Sequence, residues 1–461
     1  MRNRKPSNQT RPDARLTALT ILQAIFTDGQ RLDQALASRQ MTELTGRDRA
    51  FVRMLAGAVL RHHGQLASLL KQQLDRPPKN KGWLVLMLGA AQLFVLDTPA
   101  HAVVDTTVRL MRAAGQPRLA GLANAVMRRL AEKKPALWQA TSAADNLPEK
   151  LRASWTGRWG AARTEQLCQL FQEPPPLDIS TRADPEKWAE KLGGTRLYGN
   201  SLRCRFDGDV AAMPGFAEGA WWVQDAAAAL PVWLLDQMLG GLAGKQLLDL
   251  CAAPGGKTAQ LAAAGADVQA VESDRQRAGR LAGNLARLQL DARIVEADIL
   301  DWQPAAPPDA ILLDAPCSAS GTIRRRPDLL VRRDFADLER MARLQGQMLA
   351  RACDWLAPGG VLIYVTCSME AEEGEAVIAD FLARPDCPVR LADLPAEIAA
   401  EAAGPFADCL KQAAADKGAS GKGASGKGAP GKGASGLRVM PDCLAGGNDG
   451  FFIACLRHIR S

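Results

Sequence analysis

The sequence predicts a multidomain protein made of an all-α domain over residues 15–140, a small α+β connector over 141–225 and an α/β domain over 226–461. Two observations lead to this prediction. Apolar residues recur every three to four positions up to about residue 135, which is the spacing of amphipathic helices. From Gly244 onward, short apolar runs alternate with helical stretches. Such alternation is typical of a parallel sheet with helices on both faces.

The N-terminal domain follows a polar, basic arm, residues 1–14, whose composition predicts disorder. From Leu16 to Phe26 the apolar spacing is helical, and it returns around Phe51, in Trp83–Phe94 and in Val103–Met111. Loops that contain Pro or Gly separate these stretches. We therefore expect a bundle of six to eight helices.

The positive charge of the chain is concentrated in its first part. Residues 1–140 carry 22 Lys and Arg against 9 Asp and Glu, a net charge of +13, whereas the whole chain has +7. The remaining residues are therefore mildly acidic, at −6. A basic module joined to an acidic one predicts that the first part binds a polyanion. We favour nucleic acid as that polyanion. The alternative is that the positive charges only keep the helices soluble and bind nothing.

Two regions interrupt the pattern of the later chain. After Pro174–Pro176, short mixed runs such as Leu177–Ser180 and Leu202–Phe206 predict the small strands of the connector. Residues 417–436 consist of four pentads, KGASG, KGASG, KGAPG and KGASG. Gly, Ser and Ala cannot bury a core, so these pentads predict a flexible cationic loop. A spacer with no function of its own is favoured over a specific binding tail.

Composition also indicates a compartment. The longest apolar stretch, Trp83–Val95, is too short to span a bilayer, and no apolar core follows the charged N-terminus. The ten cysteines include no C-x-x-C pair, and there are four histidines. These features argue against a metal site and a disulfide framework. We expect a cytoplasmic monomer with no membrane partner and no metal.

The segment from Asp249 to Thr258, DLCAAPGGKT, joins the first predicted strand of the α/β domain to its helix. Its paired glycines permit close approach of a ligand to the backbone, and the helix N-terminus offers free N–H groups. A phosphate loop needs a glycine where Cys251 stands, and the dinucleotide pattern G-x-G-x-x-G is also absent. Neither of those two ligand classes is predicted.

Acidic residues end three consecutive predicted strands, which favours a nucleoside cofactor. Glu272 is placed to accept the ribose hydroxyls, Asp298 to meet the adenine amino group, and Asp314 to lie beside the reacting centre. The predicted cofactor-binding residues are Cys251, Ala252, Ala253, Pro254, Gly255, Gly256, Lys257, Glu272, Asp298 and Asp314.

Two thiols follow two further apolar runs. Cys317 comes shortly after the run Ala310–Leu313, and Cys367 comes shortly after Val361–Val365. Ligand crevices of open α/β sheets lie at the carboxyl ends of the strands, so both thiols and Asp314 are expected in one pocket. The arginines that follow Cys317 are expected to hold RNA phosphates rather than to form a solvated, salt-bridged face. They are Arg324, Arg325, Arg326, Arg332 and Arg333.

At these residues the sequence resembles a known family. The segments DLCAAPGGKT, ADILDW, LLDAPCSASGTIRRRPD, YVTCS and DGFFIA resemble, in order and spacing, the Nol1/Nop2/Sun family of S-adenosylmethionine-dependent RNA (cytosine-C5) methyltransferases. The resemblance covers roughly residues 145–461 and implies a Rossmann-like catalytic domain. The N-terminal part resembles the fold of the antitermination factor NusB. The combination is similar to family members that methylate 16S rRNA in bacteria. Glu272 stands where the family commonly has Asp, and either acid can contact ribose.

The resemblance implies that Cys367 is the nucleophile, that Cys317 promotes release and that Asp314 stabilises the adduct. The residues alone leave the order of the thiols open, because DNA C5 methyltransferases use a Pro-Cys at the place of Cys317. A DNA cytosine methyltransferase therefore remains one alternative function. A non-catalytic RNA-binding assembly or antitermination factor with a methyltransferase fold is another, although the intact thiols and glycine turn argue against it.

Overall fold

The structure is a computed structural model that describes residues 13–205, 208–332, 335, 337–392, 406 and 436–459. The chain divides into two compact units, Met1–Pro174 with Ile323–Ala336, and Pro175–Thr322 with Asp337–Ser461. Three features expected from the sequence lie outside the described residues. They are the basic arm up to residue 12, Arg333 and the pentads up to residue 435.

The first unit is built from helices, as predicted. Asp13 caps its first helix by accepting a hydrogen bond from Arg15 N–H at 2.8 Å, because the first N–H groups of a helix have no partner within it. The most buried helix is Asn80–Phe94, whose apolar residues surround its whole circumference. The helices are α1 (Ala14–Phe26), α2 (Leu32–Leu36), α3 (Arg39–Thr42), α4 (Gly46–Arg61), α5 (His63–Lys71), α6 (Asn80–Phe94), α7 (Ala100–Ala113), α8 (Ala120–Glu132), α9 (Lys134–Gln139), α10 (Glu149–Trp159) and α11 (Ala161–Gln172).

The second unit begins with a four-stranded antiparallel sheet in the order β2-β3-β1-β4. Its strands are β1 (Leu177–Thr181), β2 (Thr195–Tyr198), β3 (Ser201–Cys204) and β4 (Trp221–Val223). The sequence predicted strands in this region but did not single out β4. Asp178 is fully buried in β1 and binds Arg203 of β3 through both carboxylate oxygens, at 2.7 and 2.8 Å. This bidentate pair satisfies the buried charge.

The main sheet has the order β10-β12-β9-β8-β5-β6-β7, with β11 paired to β12. The strands from β5 to β9 run parallel to one another, and β12 is antiparallel to its neighbours. The chain order reverses between β5 and β8, so the carboxyl ends of these two strands border the ligand crevice of such a sheet. The strands are β5 (Gln246–Leu250), β6 (Asp267–Glu272), β7 (Arg293–Glu296), β8 (Ala310–Asp314), β9 (Val361–Thr366), β10 (Val389–Leu391), β11 (Leu437–Val439) and β12 (Phe451–His458).

Apolar residues cover both faces of the main sheet. Leu247, Leu312 and Ile363 pack with the helix α13 on one face. Ile311 and Leu362 belong to a second core with α17 on the other face. Alternate residues of a strand point to opposite faces, which is why these strands are apolar throughout. The helices are α12 (Pro185–Leu192), α13 (Ala226–Leu239), α14 (Gly256–Ala263), α15 (Arg275–Leu288), α16 (Leu329–Arg332, in the stretch that belongs to the first unit), α17 (Leu338–Trp355) and α18 (Glu375–Leu382).

None of the helices in the described ranges is long and apolar enough to cross a membrane. Eight cysteines in the same ranges are free thiols. Cys443, in contrast, is disulfide-bonded. The sequence contains no C-x-x-C pair and was interpreted as lacking a disulfide framework, so this bond was not expected.

Candidate active site

The loops after β8 and β9 bring two thiols together. The Sγ atoms of Cys317 and Cys367 lie 3.4 Å apart, and both side chains are partly accessible. Parallel pairing of β8 with β9 puts their carboxyl ends at one edge of the sheet, which is why the cysteines meet although 50 residues separate them. The sequence predicted this meeting from the two apolar runs.

The two thiols are not equivalent. The hydrogen bond with Cys367 raises the pKa of the Cys317 thiol well above its ordinary value, and burial and the nearby charges of Cys367 and Glu373 raise it further. Cys317 is therefore protonated at neutral pH, and its S–H group can donate to Cys367. The arrangement is a proton-bearing thiol beside a thiol that is available as a nucleophile.

Lys257 reaches the same edge from the N-terminus of α14. Its Nζ atom lies 2.8 Å from Oδ2 of Asp314, the last residue of β8, and 5.4 Å from the centre of the Phe451 ring. Burial lowers the pKa of Lys257, but the Asp314 carboxylate outweighs it and leaves that pKa above its ordinary value. Lys257 is thus a buried ammonium group that fixes the position of Asp314.

The loop between β5 and α14 has an unusual backbone. Cys251 and Gly255 both have positive φ, at 61° and 102°, a region that side chains disfavour. Glu272, at the end of β6, is buried and accepts from Ala253 N–H at 3.3 Å. Arg277 donates to Ala253 O at 2.7 Å and pairs with Glu272. These contacts hold the loop in one conformation.

The structure adds a physical reason for Gly255 that the sequence did not give. The sequence alone indicates close approach of the cofactor at this glycine. A Cβ atom at Gly255 would instead lie 2.4 Å from Cδ1 of Leu281 on α15, and the positive φ would strain it as well. At Gly256 a Cβ atom would make only ordinary contact with Gln224, at 3.5 Å. The positive φ of the loop, together with its close contact to the end of the Leu281 side chain, therefore favours glycine at 255.

The residues at this edge fit a nucleoside cofactor. Oε2 of Glu272 accepts its bond from Ala253 at the long distance of 3.3 Å, and each carboxylate oxygen can accept two. Asp298, just after β7, is exposed and accepts from Leu300 N–H through Oδ1. Acidic groups thus stand at or just after the ends of β6, β7 and β8, and carboxylates are acceptors of the kind that the hydroxyl and amino groups of a nucleoside require.

Comparisons with known proteins agree with this geometry. Residues 237–457 match the family model for the 16S rRNA methyltransferase RsmB/F, and residues 12–132 match the NusB family. Ribosomal RNA small subunit methyltransferase B of Xanthomonas campestris is 36% identical over 391 residues, covering 80% of this chain and 88% of that protein. The protein of the same name from Klebsiella pneumoniae is 33% identical, covering 83% of this chain and 92% of its own length.

The chain belongs to the RsmB/F family of 16S rRNA methyltransferases. It is an S-adenosylmethionine-dependent enzyme with an N-terminal NusB domain. The crystal structure of PH0851 superposes with a TM-score of 0.69 at 21% identity, covering 96% of this chain and 98% of that one. A methyltransferase homolog from Pyrococcus horikoshii gives a TM-score of 0.52 at 25% identity, covering 67% and 94%. These neighbours support the predicted multidomain fold.

In this RsmB/F chain, two of the arginines expected to hold RNA phosphates bond to the protein itself, and one of them is Arg332, which pairs with Asp328 at 3.0 Å. Arg324 is 5% exposed and donates to the carbonyl oxygens of Glu173 and Pro174, at 3.0 and 2.9 Å. Its guanidinium satisfies backbone acceptors of the first unit, which is a different role from the phosphate contact expected of Arg324. The sequence could not reveal this because the partners are about 150 residues away. Arg325 and Arg326 are half-buried, and their RNA contact stays a prediction.

Glu373 was not predicted from the sequence. This residue is fully buried in the described structure and bonds to the residue after Cys317. In the sequence it stands in the acidic run Glu370–Glu375, whose composition is typical of an exposed segment. The sequence offered one signal, which is that a serine follows both Cys317 and Cys367. Across the described residues, no group of three His, Cys, Asp or Glu side chains is arranged to hold a metal ion.

Proposed function

We propose that this enzyme methylates C5 of a cytosine in 16S rRNA through a covalent bond between Cys367 and C6 of the base. The observation that supports the proposal is the pair of thiols 3.4 Å apart, beside the Asp314–Lys257 ion pair at the carboxyl ends of β8 and β9. A methyltransferase acting on an amine or a hydroxyl group needs no such pair.

The chemistry requires a nucleophile because C5 lies in an aromatic ring and is itself a weak one. Addition of the Cys367 thiolate to C6 turns C5 into an enamine carbon, which can attack an electrophilic methyl group. S-adenosylmethionine supplies that methyl group from its sulfonium. The C5 proton then leaves to a base, the C5–C6 double bond re-forms and the Cys367 sulfur departs.

The remaining residues have distinct roles in this proposal. Asp314 hydrogen-bonds N3 and the exocyclic amine of the cytosine, which stabilises the adduct, and Lys257 fixes its carboxylate. Cys317, which keeps its proton, is not the base that takes the C5 proton; it assists elimination by donating a hydrogen bond from its S–H group to the departing Cys367 sulfur. Cofactor binding is assigned to the loop over Cys251–Lys257, with Glu272, Asp298 and Asp314 at the strand ends. Arg325 and Arg326 contact the RNA backbone near the base.

The NusB domain supplies affinity for rRNA in this proposal, since residues 1–140 hold the net positive charge of the chain. We place the enzyme in the cytoplasm, acting as a monomer on 16S rRNA or a precursor of the small subunit. Its domains are assigned as 15–140 for RNA binding, 141–225 as a connector and 226–461 for methyl transfer.

Bisulfite sequencing of rRNA from a deletion strain tests the proposal directly. One cytosine of 16S rRNA that resists conversion in the parent strain should become fully convertible in the deletion strain. Expression of the wild-type gene should restore resistance, whereas the Cys367→Ala gene should not. Unchanged resistance at all 16S positions would reject C5 methylation of this RNA. Methylation of DNA by the purified enzyme instead would favour the DNA methyltransferase alternative.

A further inference from the structure

The serines that follow the two cysteines bond to each other. Ser318 comes after Cys317 and Ser368 comes after Cys367, and their Oγ atoms lie 3.1 Å apart. Both serines are buried, with exposures of 3% and 0%. The two thiol-bearing loops are therefore joined beneath the thiols by a second side-chain contact that runs alongside the Sγ–Sγ contact.

The serine pair is hydrogen-bonded to Glu373 through Ser318. The fully buried carboxylate accepts from Ser318 N–H at 2.8 Å through Oε1 and from Ser318 O–H at 2.5 Å through Oε2. An ionised carboxylate can only accept, so the Ser318 hydroxyl must donate to it. Ser368 must then donate to Ser318, while Ser368 Oγ accepts from Glu370 N–H at 3.0 Å. The charge on Glu373 thus sets the direction of the whole chain of hydrogen bonds.

Glu373 is tied to the residue before Cys317 as well. Gln345 on α17 donates from Nε2 to Pro316 O at 2.9 Å and to Glu373 Oε1 at 3.3 Å. The hydroxyl of Tyr364 on β9 donates to Glu373 O at 3.0 Å. The residues before and after Cys317 are therefore both linked to the Glu373 carboxylate, the first through Gln345 and the second directly. Tyr364 of β9 in turn bonds to the backbone carbonyl of Glu373.

The same carboxylate affects the pKa of the Cys317 thiol. After the hydrogen bond to Cys367, burial and the charge of Cys367, the charge of Glu373 adds to the rise of the Cys317 pKa. Tyr364 on β9 also faces Cys317, and the Lys257 ammonium on α14 faces Cys367. A negative group therefore lies on the side of Cys317, where it disfavours a second negative charge, and a positive group lies on the side of Cys367.

We propose that Glu373 is the positioning residue of the thiol pair: through Ser318 and Ser368 it holds the two cysteines in contact, and its buried carboxylate beside Cys317 makes Cys317 the less reactive thiol of the two. Glu373 touches neither base nor cofactor in this role. Only the identity of Cys367 as the attacking thiol rests on the function proposed above, since the asymmetry of the two thiols belongs to the protein without RNA.

Alkylation of the full-length enzyme by iodoacetamide, followed by peptide mass spectrometry over a range of pH, measures each thiol separately. In the wild type, Cys367 should react first and Cys317 slowly. In Glu373→Gln, which keeps the size of the side chain and removes its charge, the alkylation rate of Cys317 should rise roughly fivefold, with its pH profile moved to lower pH. The matched control is Glu372→Gln, an exposed neighbour, which should leave both rates unchanged.

A second variant separates contact from charge. Ser318→Ala keeps the carboxylate but breaks the hydroxyl chain, so Cys317 alkylation should rise less than in Glu373→Gln, and Glu373→Asp should restore part of the wild-type ratio. Unchanged Cys317 rates in both Glu373→Gln and Ser318→Ala would overturn the proposal. If thermal unfolding shows that Glu373→Gln does not fold, the rate of Cys317 alkylation in Ser318→Ala decides alone: an unchanged rate would overturn the proposal. The alkylation experiment contains no RNA. Its result can therefore be interpreted even if the wild-type enzyme proves not to methylate rRNA, so the two proposals can fail independently.

Discussion

The two halves of the crevice in the α/β unit are built in different ways. At the ends of β8 and β9, side chains meet side chains: Cys317 with Cys367, and Lys257 with Asp314. At the ends of β5 and β6, side chains hold backbone: Glu272 and Arg277 bind the N–H and C=O groups of Ala253. One edge presents reactive groups, and the other shapes a loop.

This difference predicts that substitutions will separate two kinetic quantities. A change at the edge of β8 and β9 should lower the rate of methyl transfer with little effect on cofactor affinity. A change in the loop after β5 should weaken cofactor binding, because the loop conformation is what the cofactor meets. Two substitutions test this separation, and a third set tests where RNA binds; they follow in order from the largest expected effect to the smallest.

Lys257 provides the strongest test because its position in the sequence and its contact in the structure disagree. In the sequence it belongs to the cofactor loop, but its ammonium group lies on Asp314. Lys257→Met should lower kcat by about 100-fold or more, since a group that orders charge at the reacting centre is removed. The affinity for S-adenosylmethionine, measured by calorimetry, should change by less than about threefold.

The control for this substitution is Lys245→Met, just before β5, which should leave kcat and affinity as in the wild type. The contrary result is that Lys257→Met loses cofactor affinity in proportion to its loss of kcat. That result would mean that Lys257 acts in cofactor binding, and the two edges would then not differ as described.

Gly255→Val should produce the opposite result. The valine would need a positive φ and would collide with Leu281, so the loop must change conformation. We expect the dissociation constant for S-adenosylmethionine to rise at least about tenfold, with kcat at saturating cofactor retained within a few-fold. Gly279→Val on α15 is the matched control, because a Cβ atom there meets nothing within 4 Å. Equal affinities of wild type and Gly255→Val would contradict this account of the loop.

Surface charge should give the smallest effect. Arg112 and Arg118 are exposed on the NusB domain, and their joint replacement by Gln should flatten the plot of log K for 16S rRNA against log salt by about 0.7 to 0.9 for each phosphate that is no longer neutralised. The matched pair Lys187→Gln and Lys191→Gln, exposed on α12, should leave the slope unchanged. Identical slopes for the two pairs would mean that the charge asymmetry of the chain does not determine where RNA binds.

Local patterns in the sequence were sufficient for much of the fold. The apolar runs Ala310–Leu313 and Val361–Val365 form β8 and β9, and each strand extends one residue beyond its run; the runs are recognisable because both strands are buried and continuously apolar. Two helices of the first unit, α2 and α3, have five and four residues. Such short helices show too little periodicity to be recognised.

Long-range contacts account for what the sequence did not reveal. The stretch Ile323–Ala336 belongs to the first unit, where Arg332 donates to Gly29 O across 303 residues. The burial of Arg324 and of Glu373 likewise depends on partners that are distant in the chain. A charged residue in a polar run has the same local pattern whether it is exposed or bonded inside the protein, so only the three-dimensional arrangement distinguishes the two.

The central claim is that the two thiols have different tasks, and trapping measures this most directly. Each cysteine variant is incubated with 16S rRNA and S-adenosylmethionine and then run on a denaturing gel. Cys367→Ala should form no adduct and transfer no methyl group. Cys317→Ala should attack and methylate, then stall as a protein–RNA complex that survives SDS. An adduct with Cys367→Ala and none with Cys317→Ala would reverse the roles, and methylation by both variants without any adduct would contradict covalent catalysis altogether.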